Sequence, residues 1–339
     1  MALLQFTNEG IWCERARIYI DPWRPVEKAL ITHGHSDHSR YGHKHYLCTD
    51  IAAPVIKYRL GKINLQTIKY GEVTQINGVD FSFHPAGHIP GSAQIRVAYK
   101  GEVWVASGDY KTVDDGLSTA FEPIKCNTFI TECTFGLPIY KWKKQSQILD
   151  DINLWWKNNR EAGKVSFISA YSLGKAQRIL RGLDHSIGKI YTHTAVENVN
   201  KIIRNQGINL KETIQITKET NKKDLIGNVV IAPPAAIGSN WSKKMVPQSV
   251  GVASGWMAIR GARRRRAVDR GFVLSDHADW DGLNAAIEAT GASRVICTHG
   301  FTDVFAKWLK EKGLDARTEY TEFEGETNEM IKEETEATS

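Results

Sequence analysis

Three histidines and one aspartate lie within six residues, immediately after the apolar residues 29–31. Imidazole and carboxylate groups are the ligands that zinc and neighbouring transition metals accept. His33 and His35 are two residues apart, so on an extended chain they point to the same side, while Asp37 and His38 follow after a turn and can face a second ion. Histidines also cluster in solvated loops, but the strand-end position and the mixed His/Asp content favour a metal site.

Further aspartates and histidines follow other short apolar runs. Asp21 ends a strand-like run, His88 lies in Pro-Ala-Gly-His, and Asp109 lies in Ser-Gly-Asp. Toward the carboxyl end, His277 lies in Ser-Asp-His-Ala-Asp and His299 lies in Thr-His-Gly. Since residues at strand ends gather at one edge of a sheet, where loops carry chemistry, these side chains are expected near the first histidine segment. Taken singly, His88 and His299 are also compatible with hydrogen-bonded core histidines.

The composition is that of a globular protein with a sizeable core. The chain has 339 residues, 42% of them hydrophobic, which suits two domains or one large domain with an insertion. It contains no run of eighteen apolar residues and no basic segment leading into an apolar one, so we expect a cytoplasmic protein without a membrane partner. The five cysteines form no CxxC pair, which favours reduced thiols that bind no metal.

Charge is unevenly distributed along the chain. The net charge is +6, but residues 319–339 contain eight glutamates and one lysine. Residues 1–318 carry 43 Lys and Arg against 30 Asp and Glu, which favours a polyanionic partner. The acidic end has little to bury, and residues 321–339 are predicted to form a disordered tail.

Short apolar runs alternate with turn residues in the first part of the chain, which predicts a sheet-rich half. The predicted strands are residues 17–20, 29–32, 46–48, 66–68, 81–83, 94–97, 103–106 and 128–131.

The pattern changes near Gln145, where Ile148, Ile152 and Trp156 recur at helical spacing. Strands are then predicted at 165–169 and 190–192, and helices at 174–183 and 196–206. This alternation predicts a mostly parallel sheet in a separate α/β module. The later part returns to the first pattern, with strands predicted at 272–274 and 295–297 and helices at 280–290 and 302–312.

The motif His-x-His-x-Asp-His after a hydrophobic strand resembles the signature of the metallo-β-lactamase superfamily, and Asp21, His88 and Asp109 match its remaining motifs in order. An α/β module inserted before two further histidine motifs is similar to the β-CASP branch of that superfamily, a group of nucleic-acid nucleases. The resemblance implies an α/β fold, namely an αββα sandwich with an inserted α/β domain. The sandwich would occupy residues 1–134 and 270–320, and the insertion residues 135–269.

The same resemblance implies two divalent metal ions, most simply zinc, with manganese and iron as alternatives. One ion would be held by His33, His35 and His88, the other by Asp37, His38 and His299, and Asp109 would bridge them. Asp37 would also count among the catalytic residues, and Asp21 would orient the ligand loop by accepting hydrogen bonds. Two adjacent cations would activate water and neutralise charge on the phosphate during phosphodiester hydrolysis.

Hydrolysis also needs a proton for the leaving alkoxide, and His277 is the candidate donor, because histidine is available as an acid near neutral pH. By the resemblance, Glu132 is its carboxylate partner. The residue types alone also allow Asp276 or Asp279 in that role, and a surface position for Glu132.

Three stretches are most similar to bacterial DNA-ligase-associated exonucleases, which are related to the Artemis-like DNA-repair nucleases: residues 131–138, 171–178 and 254–266. This implies a DNA exonuclease, acting from a 5′ end on partly single-stranded DNA, in association with an ATP-dependent DNA ligase. His299 departs from the valine of the eukaryotic DNA-cutting members and keeps a ribonuclease open. A small-molecule hydrolase and an inactive nucleic-acid-binding protein are further alternatives.

Three groups of residues are candidate contacts to the nucleic acid. Ser172, Gly174 and Lys175 open a predicted helix and could bind a 5′-terminal phosphate, or could be an ordinary helix cap. Trp241 and Trp256 could stack on a splayed base. A run of arginines could meet phosphates or lie in a solvated loop. These arginines are Arg260, Arg263, Arg264, Arg265 and Arg266.

Overall fold

The computed structural model describes residues 2–259 and 268–323, which form two compact units. The first unit contains the chain up to Lys141 and again from His277, and the second unit contains Trp142–Asp276. The chain therefore leaves the first unit and returns to it later. The sequence prediction places these two crossings earlier, after residues 134 and 269.

Aromatic packing extends the first unit to Lys141. Phe135 and Tyr140 are fully buried with ring centroids 4.9 Å apart, and the Tyr140 carbonyl accepts a hydrogen bond from the N–H of Trp280 (3.0 Å). On the return, Arg270–Phe272 forms an edge strand of the second unit. The strand predicted at 272–274 is therefore shifted, and it does not belong to the first unit.

Six strands of the described chain form the first sheet of the first unit, in sequence order. They are β1 (Gln5–Phe6), β2 (Ile11–Cys13), β3 (Ile18–Ile20), β4 (Lys28–Leu30), β5 (His45–Thr49) and β6 (Leu65–Ile68). Pairing is antiparallel from β1 to β3 and parallel from β3 to β6. The helix α1 (Ala53–Leu60) connects β5 to β6 and has a proline in its first turn, where a missing N–H breaks no helical hydrogen bond.

The second sheet lies in the same unit and has the strand order β19-β18-β11-β10-β9-β8-β7, numbered along the chain. Its strands are β7 (Val73–Ile76), β8 (Val79–Pro85), β9 (Ala93–Tyr99), β10 (Glu102–Ala106), β11 (Thr128–Cys133), β18 (Arg294–Gly300) and β19 (Asp315–Thr318). Two helices, α5 (Trp280–Thr290) and α6 (Thr302–Glu311), precede β18 and β19.

Apolar side chains from both sheets form one continuous core. Ile18 and Ile20 of β3 and Phe81 and Phe83 of β8 enter it at every second position, as the two-residue period of a strand requires. Further apolar clusters join β11 and β18 to α5 and α6, and β4 and β5 to α1. The first unit is thus a layered α/β/β/α sandwich, and the predicted α/β class is confirmed.

The second unit is built on a parallel sheet with the strand order β14-β13-β15-β12-β16-β17. Its strands are β12 (Val165–Ser169), β13 (Ile190–Thr192), β14 (Ile214–Gln215), β15 (Val229–Ala232), β16 (Gln248–Ala253) and β17 (Arg270–Phe272). Its described helices are α2 (Gln145–Glu161), α3 (Lys175–Gly182) and α4 (Thr194–Asn205). All neighbouring strands pair in parallel, as the βαβ pattern predicts. The inner strands β15 and β16 are missing from the sequence prediction, although both are short apolar runs.

Within the described residues, none of the helices combines the length and the apolar character needed to cross a membrane.

Strand directions bring the candidate residues of the first unit to one edge. β10, β11 and β18 are mutually parallel, with Ala106 opposite Ile130 and Ile130 opposite Ile296. β9 is antiparallel to both β8 and β10, so β8 also ends at this edge. The loops after β8 and β10 and the ends of β11 and β18 are consequently neighbours.

Candidate metal centre

The Asp109 carboxylate lies at the centre of a buried group of histidines. Its Oδ2 lies 3.6 Å from Nε2 of His33 and 3.7 Å from Nε2 of His88. Its Oδ1 lies 3.0 Å from Nε2 of His299 and 3.5 Å from Nε2 of His38. The two oxygens of one carboxylate therefore face two different histidine sets.

Each of these sets fits a divalent metal ion. The sets are His33, His35, His88 and Asp109 on one side and His38, Asp109 and His299 on the other, with the donor atoms of each set within 4.8 Å of one another. Among the described side chains, Nε2 of His33 and Nε2 of His38 have no hydrogen-bond partner, although both rings are fully buried. A buried polar atom without a partner costs free energy, and coordination to a cation would remove that cost.

Asp37 is buried beside the second set, with Oδ2 3.7 Å from Nε2 of His38. Asp37 belongs to neither set, because membership requires an oxygen within 4.8 Å of all the other donor atoms of the set. Its roles as a metal ligand and as a catalytic residue therefore stay predictions.

Hydrogen bonds orient two of the imidazoles. Asp21 Oδ2 accepts a hydrogen bond from Nδ1 of His38 (2.7 Å), and its Oδ1 accepts one from the N–H of Thr32 (2.8 Å). The Thr32 hydroxyl donates to Asp21 and lies 3.0 Å from Nδ1 of His33. Because that hydroxyl has already given its proton, His33 donates from Nδ1, which leaves its Nε2 lone pair available to a metal. The bond from Nδ1 of His38 to Asp21 likewise makes Nε2 the atom of His38 that a metal would meet. The sequence interpretation missed Thr32, whose only signal was its position directly before His33.

Gly108 permits the close approach of Asp109 to this hydrogen-bonded group. Its φ is +56°, and a Cβ on this residue would lie 2.8 Å from the Thr32 side chain. Both the left-handed backbone and the missing space favour glycine here. The Ser-Gly-Asp motif is thus explained by packing against the ligand loop.

Carboxylates dominate the electrostatics of the second set. Burial alone would lower the pKa of His38, but Asp109, Asp37 and Asp21 outweigh burial and raise this pKa to about 10. Burial, reinforced by the neighbouring imidazoles, lowers the pKa of His33 well below its ordinary value. Burial would raise the pKa of Asp109, but the surrounding imidazoles hold it well below its usual range. The ionised Asp109 beside the neutral His33 is a suitable environment for a metal cation, whereas His38 has to release its Nε2 proton when a metal binds.

A hydrogen-bonded pair, His277 and Glu132, packs against the histidine group. Nδ1 of His277 lies 2.9 Å from both carboxylate oxygens of Glu132, and Oε1 of Glu132 also accepts a hydrogen bond from the N–H of Tyr110 (2.9 Å). The ring centroids of His277 and His88 are 4.7 Å apart. The carboxylate holds a proton on Nδ1, which assigns proton exchange with a substrate to Nε2. Glu132 is 1% exposed, so the alternative of a surface carboxylate is wrong.

The two alternative carboxylates contact other groups. Asp279 caps α5 by accepting a hydrogen bond from the N–H of Gly282 (2.8 Å). Asp276, in the second unit, accepts a hydrogen bond from Arg178 and lies 3.6 Å from Nζ of Lys175. Glu132 accepts a hydrogen bond from His277, as the resemblance implies.

The predicted phosphate-binding residues surround the start of α3 in the second unit. Gly174 is the N-cap, with φ of 91°, and its N–H donates to Oε1 of Gln177 (2.7 Å), whose Nε2 donates to the carbonyl of Ser172 (2.9 Å). Lys175 is fully buried and has Asp276 as an internal counter-ion. The sequence interpretation did not foresee this ion pair. Binding of a terminal phosphate here stays a prediction.

Trp256 lies half-buried in a short 3-10 turn, Gly255–Ala258, of the second unit. The arginines predicted to meet phosphates are Arg260, Arg263, Arg264, Arg265 and Arg266, and they lie outside the described residues. Their contact to nucleic acid stays a prediction.

Residues at the beginning of the predicted acidic tail cover the second histidine set. Glu322 forms ion pairs with two arginines of the same unit. The Phe323 ring stacks on the His38 imidazole, with centroids 4.1 Å apart and planes 13° apart, and lies 5.6 Å from the ring of His299. Residues 321–323, which the prediction places in the disordered tail, therefore pack against the first unit. The residues after Phe323 lie outside the described part of the chain.

We expect Thr32→Val to weaken metal binding by about 10- to 100-fold, because the hydroxyl that orients His33 is lost while the shape is kept. Competition with a chromophoric chelator measures the affinity. Thr49→Val is the matched control, since Thr49 is equally buried and donates to the carbonyl of Gly91 (2.7 Å). Equal affinities of the two variants would show that Thr32 does not orient a ligand.

Comparisons with known proteins agree with this geometry. No protein-family model matches the chain. The chain is 29% identical over 313 residues to a probable DNA ligase from Opitutus terrae, a match that covers 91% of this chain and 30% of that protein. It is 21% identical over 290 residues to endoribonuclease ysh1 of Schizosaccharomyces pombe, covering 70% of this chain and 38% of that protein. The chain thus spans well under half the length of these two curated relatives.

A solved structure shares the fold. The crystal structure of a protein of unknown function from Enterococcus faecalis V583 superposes with a TM-score of 0.56 at 8% sequence identity, covering 82% of this chain and 76% of that chain.

Proposed function

Because this chain belongs to the β-CASP branch of the metallo-β-lactamase superfamily, we propose that it hydrolyses phosphodiester bonds of nucleic acids with two divalent metal ions. The observation that carries the proposal is the Asp109 carboxylate, whose two oxygens face separate histidine sets. When bound, the ions would lower the pKa of a water molecule and neutralise charge on the phosphate. Zinc is the proposed metal because the donors are mostly imidazole nitrogen, and elemental analysis of the purified protein identifies it.

The chain's own residues supply the proton for the leaving group. The oxygen of a water molecule bonds to phosphorus, the bond from phosphorus to O3′ breaks, and Nε2 of His277 gives its proton to O3′. The attacking water releases one proton to solvent, and Nε2 of His277 takes one back from solvent before the next turnover. Glu132 keeps His277 oriented by accepting the Nδ1 proton. The products are a 5′-phosphate and a 3′-hydroxyl.

The proposed substrate is DNA, digested as a repair exonuclease in association with a DNA ligase. Support comes from the 91% of this chain that matches part of a probable DNA ligase, and from the basic balance of residues 1–318. The second candidate is a ribonuclease, favoured by His299 and by the similarity to an endoribonuclease. The cytoplasmic location stays a prediction from the sequence.

Labelled single strands of DNA and RNA, incubated with the protein with and without a chelator, test the proposal. We expect shortening of DNA that stops in chelator and returns when Zn²⁺ or Mn²⁺ is added. Faster cleavage of RNA would select the second candidate. Cleavage that survives chelation would contradict a metal-dependent mechanism.

We expect digestion from a 5′ end with preference for a 5′-phosphate, because the half-buried Ser172 lies beside the N-terminus of α3, whose partial positive charge favours an anion. The measurement compares 3′-labelled strands that carry a 5′-phosphate, a 5′-hydroxyl or a blocked 5′ end. Ser172→Ala should reduce the preference, whereas the exposed Ser186→Ala should not. Equal rates on all three strands, or shortening from the 3′ side, would overturn the polarity.

A further inference from the structure

A cavity of about 510 Å³ lies in the second unit, and its lining contains no residue assigned to the reaction above. This volume is typical of small-molecule binding sites, which fill about 300–1,000 Å³. The cavity is lined by His193 and Thr194, which follow β13, by residues that follow β14, and by Trp241, Lys244 and Met245, which follow β15. It therefore lies at the carboxyl ends of parallel strands.

The strand order makes this place a switch point of the sheet. After β13 the chain turns to the edge strand β14, whereas after β15 it turns to the opposite side and continues to β16. The connections that leave β13 and β15 thus diverge and open a crevice between them. Ligands of open α/β sheets bind in such crevices, outside the carboxyl ends of the strands.

The inner lining is apolar and aromatic. Ile216, Leu225 and Met245 are buried, and the rings of His193 and Trp241 meet edge to face with centroids 4.8 Å apart and an interplanar angle of 82°. Flat aromatic surfaces of this kind are suited to a nucleobase.

The outer lining is basic. Lys218, Lys222 and Lys244 are exposed, and the lining contains no Asp or Glu. Among the described residues, none of the three ammonium groups forms an ion pair. The N-terminus of α4, twelve residues long, begins at Thr194 in the same lining and adds a partial positive charge.

His193 is neutral, which agrees with its place in the apolar inner lining rather than in the basic outer lining. Its Nδ1 accepts a hydrogen bond from the N–H of Ala195 (3.1 Å), which leaves Nε2 with the proton. Burial also lowers the pKa of His193. A neutral imidazole that donates from Nε2 is suited to the polar edge of a base rather than to a phosphate.

We infer that this cavity binds a nucleoside phosphate, with the base against His193 and Trp241 and the phosphate among the three lysines. The same chemistry is present in a free nucleotide and in one unit of a nucleic-acid strand. Binding requires neither the metal centre nor hydrolysis, so it can be tested independently of the proposed nuclease activity.

The test uses the full chain in the presence of EDTA, so that no strand is cut. One probe is N-methylanthraniloyl-ATP, competed with ATP and with adenosine, and the other is a fluorescein-labelled single-stranded oligodeoxythymidine of twelve residues. The test variant is the double substitution Lys222→Gln with Lys244→Gln. The matched control is Lys223→Gln with Lys243→Gln, because these exposed lysines are the direct chain neighbours, carry the same charge and do not line the cavity.

We expect saturable binding that the test variant weakens at least about tenfold and the control by less than about twofold, because only the first pair touches the phosphate. Competition by ATP but not by adenosine would support the phosphate position. The oligonucleotide could bind more tightly than ATP and be weakened by the test variant but not by the control. That result would show that the bound nucleotide is one unit of a nucleic-acid strand. Absence of saturable binding by both probes, or equal weakening by both variants, would overturn the proposal, since it would leave only general attraction to a basic surface.

Discussion

Asp109→Asn should reduce phosphodiester hydrolysis by about 10³-fold or more and lower the metal content below two ions per chain. The substitution keeps the size of the side chain but replaces one carboxylate oxygen with an NH₂ group, which cannot coordinate a cation. Because the two oxygens face different histidine sets, both metal sites depend on this one side chain. Loss of metal-based charge stabilisation costs several kcal/mol, which corresponds to that loss of rate.

Cleavage of labelled strands and elemental analysis of the purified variant are the two measurements. The control is Asp115→Asn, since Asp115 is a buried aspartate of the same unit whose Oδ1 accepts hydrogen bonds from the N–H groups of Leu117 (2.9 Å) and Ser118 (2.8 Å). If Asp109→Asn kept two ions and cleaved within tenfold of the wild-type rate, Asp109 would not bridge the ions.

His277→Ala should lower the rate by about 10²- to 10⁴-fold while the metal content stays unchanged. The expected loss of rate arises because O3′ leaves as an alkoxide when no proton reaches it, and forming that alkoxide raises the free energy of the transition state. A substrate with a good leaving group separates this role from a structural one. On bis(4-nitrophenyl) phosphate, whose nitrophenolate departs without a proton, His277→Ala should lose much less activity than on DNA.

His84→Ala is the control for His277, because His84 is a partly buried histidine of the same unit outside the histidine sets. An oxygen of Asp109, an oxygen of Glu132 and a nitrogen of His277 lie close enough together to form a metal-binding group of their own. Loss of an ion in His277→Ala would therefore make His277 a ligand and contradict its role as proton donor. Equal losses on both substrates would contradict it as well.

Glu132 is a positioning residue in this mechanism, and its effect should depend on His277. Glu132→Gln should slow hydrolysis less than His277→Ala does. Adding it to His277→Ala should cause no further loss, because the imidazole that Glu132 orients is already absent. Additive losses in the double variant would show that Glu132 acts through something other than His277.

Local sequence patterns determined much of the fold. The strands at 165–169 and 190–192 and the helix at 280–290 have the predicted bounds, because a short apolar run and a 3.6-residue period are both properties of contiguous residues. The strand predicted at 272–274 shows the limit of such patterns. A short apolar run does not reveal which sheet it joins, and backbone pairing with Gly251–Ala253 assigns this one to the second unit.

The sequence by itself identified the residue types of the candidate site, since six closely spaced positions already combine three imidazoles with a carboxylate. Only the tertiary structure decided how they are arranged. Asp109 meets His299 because β10, β11 and β18 pair in parallel over a long separation in sequence. The covering ring of Phe323 and the ion pair between Lys175 and Asp276 depend in the same way on contacts between distant segments. Spacing along the chain carries no information about such contacts, because they are selected by the packing of the whole unit.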